Sequence, residues 1–386
     1  MLETIKDALP QLVALRRELH NHPELSCAEA RTATVVAESL RALGAEVHTG
    51  IGGHGIVASL HGSGPGPAVA LRADMDALAI VEQTGLPYAS GNPGTMHACG
   101  HDGHMVMAIG GAMHLARTRQ FRGTVHVIFQ PAEERFGGAL RMIEDGLFDR
   151  FPVERVFGLH NWPGLEAGAF VVHDGPVMAG TGEFGVVFTA AGGHAAMPHT
   201  TGDPVLAGSL FVAGVQQIVA RAVDPLQAAV VTIGSFQAGH AQNIIADQAV
   251  LTGTFRAHRP ALLMQIAQRL QDIAGAAATM AGTGARMRIE GPLTAPVVNS
   301  VAEAALMRQA VTTLFGTEAL RVLPPSMAGD DFGCLLAHVP GAYIWIGNGA
   351  GTDSAPLHRA NYDFNDAILG RGASVLARVA ELALGG

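Results

Sequence analysis

A chain of 386 residues exceeds the size at which one hydrophobic core usually stops growing, so two domains are expected. With 48% apolar and 15% charged residues, and glycines in no collagen period, the composition is that of a globular protein and excludes a disordered or fibrous chain. A net charge of -9 excludes nucleic acid as an expected partner, because no basic footprint exists to neutralise phosphates.

The opening MLETIKDALPQLVALRRELHNH mixes charges throughout and reads as neither signal peptide nor membrane anchor. No run approaches the roughly 18 apolar residues of a membrane span without interruption. The odd set of Cys27, Cys99 and Cys334 does not make a disulfide scaffold. A soluble, cytoplasmic protein with no membrane partner is expected.

In chain order, Leu12, Leu15 and Leu19 lie at helical spacing before Pro23 and predict a first helix. A second helix follows, with Gly44 as its C-cap ahead of a strand at AEVHT. GIVASLHG and AVALRAD are short strands separated by the turn-forming GSGPGP, and TVHVIFQ and RVFGLHN continue the alternation of helix and strand. The first 180 or so residues therefore read as an α/β unit around a central sheet, with AVALRAD and TVHVIFQ apolar enough to be interior strands.

The character then changes. GEFGVVFTAAGG is a strand, DPVLAGSLFVAGVQQIVARAV a helix opened by a DP cap, AAVVTIGSFQAG and QAVLTGTFRAH two strands, PALLMQIAQRLQDIAGAAATMAG a helix opened by Pro260, and ARMRIEG a fourth strand. That order is ferredoxin-like. The remainder, with a strand at GAYIWIG and a loop GNGAGTDSAPLHRANYD, most simply completes the first domain. The expected organisation is a discontinuous catalytic domain, 1–182 and 296–386, with a central mixed sheet, interrupted by an inserted α+β domain, 183–295.

The segment HACGHDGH, residues 97–104, concentrates histidines around Cys99. It reads as a metal site, a thiol nucleophile, or a glycine-rich loop carrying imidazoles. Cys99 and His101, two apart, can reach one ion from an extended segment, but two ligands do not hold a metal. Other candidates lie at the predicted strand ends, where α/β sheets display their sites. FQPAEE delivers Glu133 and Glu134 together, a costly placement of charge unless a cation sits nearby; one carboxylate can then ligate while the other takes a proton from water. GLHNWPG places His160 at the end of the next strand and SAPLHRANYDF places His358 after YIWIG. Singly each is an ordinary histidine, whereas clustered at strand ends they indicate a site.

HACGHDGH, FQPAEE, GLHNWP, RRELHNHPELS, RADMDAL, GGHAAMPH and APLHRANYDF together resemble the aminoacylase and carboxypeptidase family of dinuclear metallopeptidases, in particular its amidohydrolase branch of hippurate hydrolases, N-acyl-amino-acid amidohydrolases and auxin-conjugate hydrolases. The resemblance spans essentially the whole chain. It implies a zinc-peptidase-like catalytic domain and two divalent metal ions, zinc, manganese or cobalt. Cys99 would bridge the metals, where other branches use an aspartate; His101 and His160 would complete one ligand set, and Glu134 and His358 the other. Glu133 would be the general base toward the metal-bridging water and then the acid toward the leaving nitrogen. The insertion resembles the family's lid and dimerisation domain, which implies a homodimer or a dimer of dimers. From it His194 would stabilise the oxyanion, in its own or the partner subunit's site, while Asn243 and Arg256 would hold the substrate carboxylate.

The implied reaction is hydrolysis of N-acyl-L-amino acids. The rivals are a dipeptidase or carboxypeptidase acting on unblocked short peptides with the same metals, cysteine-nucleophile chemistry at Cys99, and a binding protein that kept the fold alone. The sequence departs from the branch at GDDF, where Gly-Glu-Asp-Phe is usual, so that Asp330 is one methylene shorter. In RADMDAL, which stands where other branches carry a histidine ligand, Asp74 and Asp76 are candidates to hold ligands in place rather than to ligate.

Overall fold

In the computed structural model, which describes residues 1–135, 137–351 and 354–385, the opening segment forms α1 (Glu3–Asn21). Its buried stripe runs Ile5, Ala8, Leu12, Arg16, Leu19, His20, so two polar residues share the apolar face while Leu15 is only half-buried. The next helix, α2 (Ala30–Ala42), ends at Gly44 with φ +74. Gly44 N donates to Arg41 O and Ala45 N to Leu40 O, the paired bonds that let a left-handed residue terminate a helix.

The chain divides into two units: Met1–Val177 with Val298–Pro325 and Asp331–Gly386, and Met178–Val297 with Ser326–Asp330. The first contains β1 (Glu46–Ile51), β2 (Gly55–His61), β3 (Ala68–Asp74), β4 (Thr124–Gln130), β5 (Arg155–Pro163) and β6 (Phe170–Val171). With the strands Gly341–Gly349 and Leu320–Arg321 they make one sheet in the order β1, β2, β4, β3, β5, Gly341–Gly349, β6, Leu320–Arg321. The central neighbours β4, β3, β5 and Gly341–Gly349 run parallel, and β1, β2 and β6 add antiparallel pairings. This is a mixed sheet. From Val69 to Asp74 every residue of β3 is buried, as expected of a strand covered on both faces.

The helix α3 (His101–Thr118) and the helix Leu369–Ala383 pack in the core of this unit. A Cβ at Gly110 would lie 2.9 Å from the Ala373 Cβ, so glycine lets these two helices approach closely. Parallel strands all end on the same side, which brings the segments after β3, β4 and Gly341–Gly349 to one edge together with the later part of β5.

The second unit is a four-stranded antiparallel sheet ordered Ala229–Ala238, Gln248–Ala257, Gly180–Thr189, Gly284–Thr294. With the helix Pro204–Gln217 after Gly180–Thr189 and the helix Pro260–Ala281 after Gln248–Ala257, it has the ferredoxin-like arrangement. Phe184, Phe188, Phe211 and Phe255 lie at its core. The Asp203 side chain accepts from Val205 N and Leu206 N at the start of the first helix, the cap that Asp-Pro predicts. Ser326–Asp330 joins this unit through Ala179 N to Ala328 O, 2.8 Å, and Arg256 Nη1 to Met327 O, 3.0 Å. Among the described residues one helix, Pro204–Ala222, is long and apolar enough to cross a membrane by length and composition; its Ala207, Phe211, Val215 and Ile218 are buried in the core of the unit.

Candidate metal centre

Cys99 ends the extended approach to α3, and His101 is the first residue of that helix. Between them Gly100 has φ +89, and a Cβ there would meet Asn161 Nδ2 and the Tyr362 hydroxyl. Only glycine fits. Asn161 Nδ2 donates to Cys99 O at 2.6 Å and Tyr362 OH to Asn161 Oδ1 at 2.7 Å, fixing the turn. His160 lies on β5, Glu133 and Glu134 follow β4, and His358, with φ +62, is tied back by its N–H to Ala98 O at 2.8 Å.

Two groups of ligand atoms result, one of Cys99, His101 and His160 and one of Cys99, Glu134 and His358, the atoms within each lying within 4.8 Å of one another. The two sets share Cys99. The Glu133 carboxylate lies within the same distance of ligand atoms of His101 and Glu134 and belongs to neither set. Asp74, His101 and His104 also cluster, but His104 is fully used: Nδ1 bonds Asp74 Oδ1 at 2.7 Å, and Nε2 accepts from Asn161 N at 3.0 Å.

The donor chemistry fits divalent cations. His101 Nδ1 donates to Asp76 O at 2.8 Å and His160 Nδ1 to Asn161 O at 2.6 Å, which directs the other ring nitrogen of each toward the cluster, where it could ligate a cation. The buried His101 Nε2 and Glu134 Oε1 make no hydrogen bond. Glu134 Oε1 lies 3.2 Å from His358 Nε2. Burial, followed by the carboxylates of Glu134, Glu133 and Asp74, pushes the Cys99 thiol well above its usual pKa. Burial opposes charge on His101 as well, yet Asp74, Asp76 and Glu134 outweigh it and raise that imidazole to about 10. Such a pocket holds excess negative charge that a cation neutralises. Burial drives His160 the other way, well below the usual histidine range, so that it is neutral before any cation binds, whereas His101 would release a proton when a cation binds.

Asp74 and Asp76 accept hydrogen bonds from groups around the clusters. Asp74 accepts from His104 and from Arg72 Nη1, the latter at 2.6 Å. Asp76 Oδ1 and Oδ2 accept the backbone N–H groups of Glu133 and Glu134, both at 3.0 Å. In the second unit, His194 on a short strand pairs with Ile244, and Ala195 N donates to Asn243 O at 3.1 Å. His194 and Asn243 are thus neighbours, both exposed, while Arg256 is half-buried on the strand Gln248–Ala257.

A buried network that no motif in the sequence announces lies beside the clusters. Arg16 Nε meets Asp102 Oδ2 at 2.9 Å and Arg16 Nη2 meets Asp363 Oδ1 at 2.5 Å, while His20 Nδ1 shares Asp102 Oδ2 at 2.8 Å. The signal it does leave is the helical spacing of Leu12, Arg16, Leu19 and His20 on one stripe.

A mixed α/β sheet unit with two candidate metal clusters that share a cysteine, in a chain that also holds a ferredoxin-like unit, defines a dinuclear metallohydrolase. The comparisons give the family. The model of peptidase family M20/M25/M40 matches residues 70–382, and the chain belongs to that family. It is 37% identical to a hippurate hydrolase of Campylobacter jejuni, over 98% of each chain, and 38% identical to an N-acetyldiaminopimelate deacetylase of Streptococcus suis, over 93% of this chain and 95% of that one. A solved dinuclear metal-binding M20 peptidase of Bacillus subtilis superposes with a TM-score of 0.86 at 32% identity, over 98% of this chain and 99% of that one. The protein is a metal-dependent hydrolase of this family, with amidohydrolase activity on N-acyl-amino-acid-like substrates as the function that membership carries.

Proposed function

We propose that the protein hydrolyses the amide bond of N-acyl-L-amino acids, hippurate-like, N-acetyl or other conjugates, to a carboxylic acid and an amino acid. The observation that carries this reading is a carboxylate, Glu133, set against two ligand clusters without belonging to either. Cys99, His101 and His160 would hold one cation and Cys99, Glu134 and His358 the other. The cations, when bound, acidify water and polarise the acyl carbonyl. Glu133 accepts the proton of the attacking water and returns it to the leaving nitrogen. His194 serves as oxyanion donor, and Asn243 and Arg256 hold the substrate carboxylate, a task suited to the guanidinium fork. The sulfur, nitrogen and oxygen donors admit zinc, manganese or cobalt.

The subunit would pair with a second copy through the ferredoxin-like unit, where Val205, Leu206, Val219 and Phe236 are exposed. The three cysteines are free thiols, in keeping with a cytoplasmic setting.

The test is amino acid release from hippurate, N-acetyl-methionine, N-acetyl-phenylalanine, an indoleacetyl-amino acid and unblocked dipeptides, using protein stripped by chelator and resupplied with zinc, manganese or cobalt. Metal-restored activity on the blocked substrates is expected. Activity confined to free dipeptides would replace the proposal with a dipeptidase, and activity surviving complete metal removal would remove the metals from the reaction.

Because both sets share Cys99, Cys99→Ala deletes a ligand from each, whereas His160→Ala or His358→Ala weakens one. After dialysis against a weak chelator, elemental analysis should find wild type with two ions per chain, each histidine variant with about one, and Cys99→Ala with almost none, following the usual dependence of affinity on ligand number. Equal retention by Cys99→Ala and wild type would sink the shared-ligand assignment.

A further inference from the structure

The turn that delivers Glu133 and Glu134 is held from an unexpected direction. Ala132, immediately before them, has φ +52, a left-handed conformation that a residue with a Cβ rarely adopts. Its N–H donates to Glu29 Oε1 at 2.9 Å. Glu29 is fully buried at the N-cap position of α2, yet its carboxylate does not cap that helix. The same Oε1 instead accepts from Cys27 N at 2.9 Å, and Cys27 is itself left-handed, with φ +66. One buried oxygen therefore ties together two strained turns far apart in sequence. Ser26 Oγ, on the first of those turns, donates to Asp76 Oδ2 at 2.6 Å. The result is a run of three consecutive amides, those of Ala132, Glu133 and Glu134, each ending on a buried carboxylate oxygen: Glu29 Oε1, Asp76 Oδ1 and Asp76 Oδ2.

We propose that Glu29 is a positioning residue for hydrolysis: by accepting the Ala132 N–H it holds the left-handed turn that aims Glu133 at the reacting water and Glu134 at its cation. The inference rests on the roles proposed above for Glu133 and Glu134. Removing the acceptor leaves a buried amide unpaired and frees the turn to relax out of its disfavoured conformation. The consequence falls on the aim of the next two side chains, and a displacement of about 1 Å at a reacting group costs on the order of 10²-fold in rate. The requirement is for an oxygen at the Oε1 position rather than for charge, since both observed bonds end on that atom and Oε2 makes none.

That distinction sets the experiment. Glu29→Gln keeps an oxygen at Oε1, Glu29→Asp keeps the carboxylate but withdraws it by one methylene, and Glu29→Ala removes it. With metal-reconstituted protein and hippurate or N-acetyl-methionine, kcat is expected to stay within about 3-fold of wild type for Glu29→Gln and to fall on the order of 10²-fold for Glu29→Asp and Glu29→Ala, with KM nearly unchanged. Amide hydrogen exchange at Ala132, Glu133 and Glu134 should accelerate in Glu29→Asp and Glu29→Ala but not in Glu29→Gln. Should Glu29→Ala not fold, the Gln and Asp variants decide alone. Equal kcat in those two, an intact exchange pattern in Glu29→Asp, or a loss that follows metal content rather than kcat would overturn the proposal. Exchange is read without substrate, so a wild type inactive on every blocked amino acid would refute the proposed reaction while Glu29 is still judged.

Discussion

Glu133→Gln is expected to lower kcat by about 10²- to 10⁴-fold on blocked amino acids, the range that a positioned acid–base group contributes, while the protein keeps two metal ions per chain and its melting temperature. Glutamine preserves the shape of the side chain but can neither take a proton from water nor return one to the departing nitrogen. The separation of roles follows from placement. Glu133 lies within 4.8 Å of His101 and Glu134 ligand atoms but outside both cysteine-sharing sets, and its Oε1 accepts from Asp331 N at 3.4 Å. Glu134→Gln should behave differently, losing one metal ion together with activity, because it changes an atom proposed to ligate. Activity assays paired with elemental analysis on both variants check this. If Glu133→Gln lost metal as readily as Glu134→Gln, Glu133 would be a ligand; if it retained more than a tenth of wild-type kcat, the proton transfer would belong to another group.

The residues of the candidate site were legible as short motifs dense in histidine, cysteine and paired carboxylate, with Glu133 and Glu134 just after β4, His160 on β5, Cys99 just before α3 and His101 at its start. The fold was legible for a related reason: β3 and β4 are short runs dense in apolar residues between glycine- and proline-containing turns, and Asp203-Pro204 marks a helix start that the structure reproduces. What holds the ligands was harder to read. Arg16 lies between Leu15 and Arg17 in a charged stretch of α1, and a lone arginine on an amphipathic helix ordinarily faces water. Leu15 drew attention as an apolar residue but is only half-buried, while Arg16 and His20 are fully buried. Glu29 looks like the opening of a helix, and nothing local to it reveals that its partner is Ala132. Spacing can mark Arg16 and His20 as lying on the buried stripe of α1, but their partners, like that of Glu29, are set by tertiary closure.

Arg16→Met should destabilise the folded protein by about 3–5 kcal/mol at pH 7, the penalty for deleting one partner of a buried ion pair. Methionine fills much of the space, so the loss comes from Asp102, fully buried and left with His20 and the Gly103 N–H. Burial alone would raise the Asp102 pKa; Arg16 and then His20 outweigh it and hold the carboxyl below the usual carboxylate range. Urea unfolding of the metal-loaded protein measures the effect, and Arg16→Met combined with Asp102→Asn should recover part of it, because the second change removes the stranded charge. Arg16 also joins the segment after His101, through Asp102, to the segment after His358, through Asp363, so the variant should bind metal more weakly as well. His20 adds a pH dependence. Burial opposes its charge, but hydrogen bonds to Asp102 and Glu82 raise it to about 9, above the roughly 6.5 of an unfolded histidine. A pKa raised on folding gives stability that is complete below about 6.5 and declines as pH climbs through 9. His20→Gln should flatten the decline of the urea midpoint between those limits, and an unchanged slope would show that the imidazolium contributes nothing to the network. A loss under 1 kcal/mol for Arg16→Met would mean that water or a shifted side chain satisfies Asp102, and that the two ligand segments are held together by packing alone.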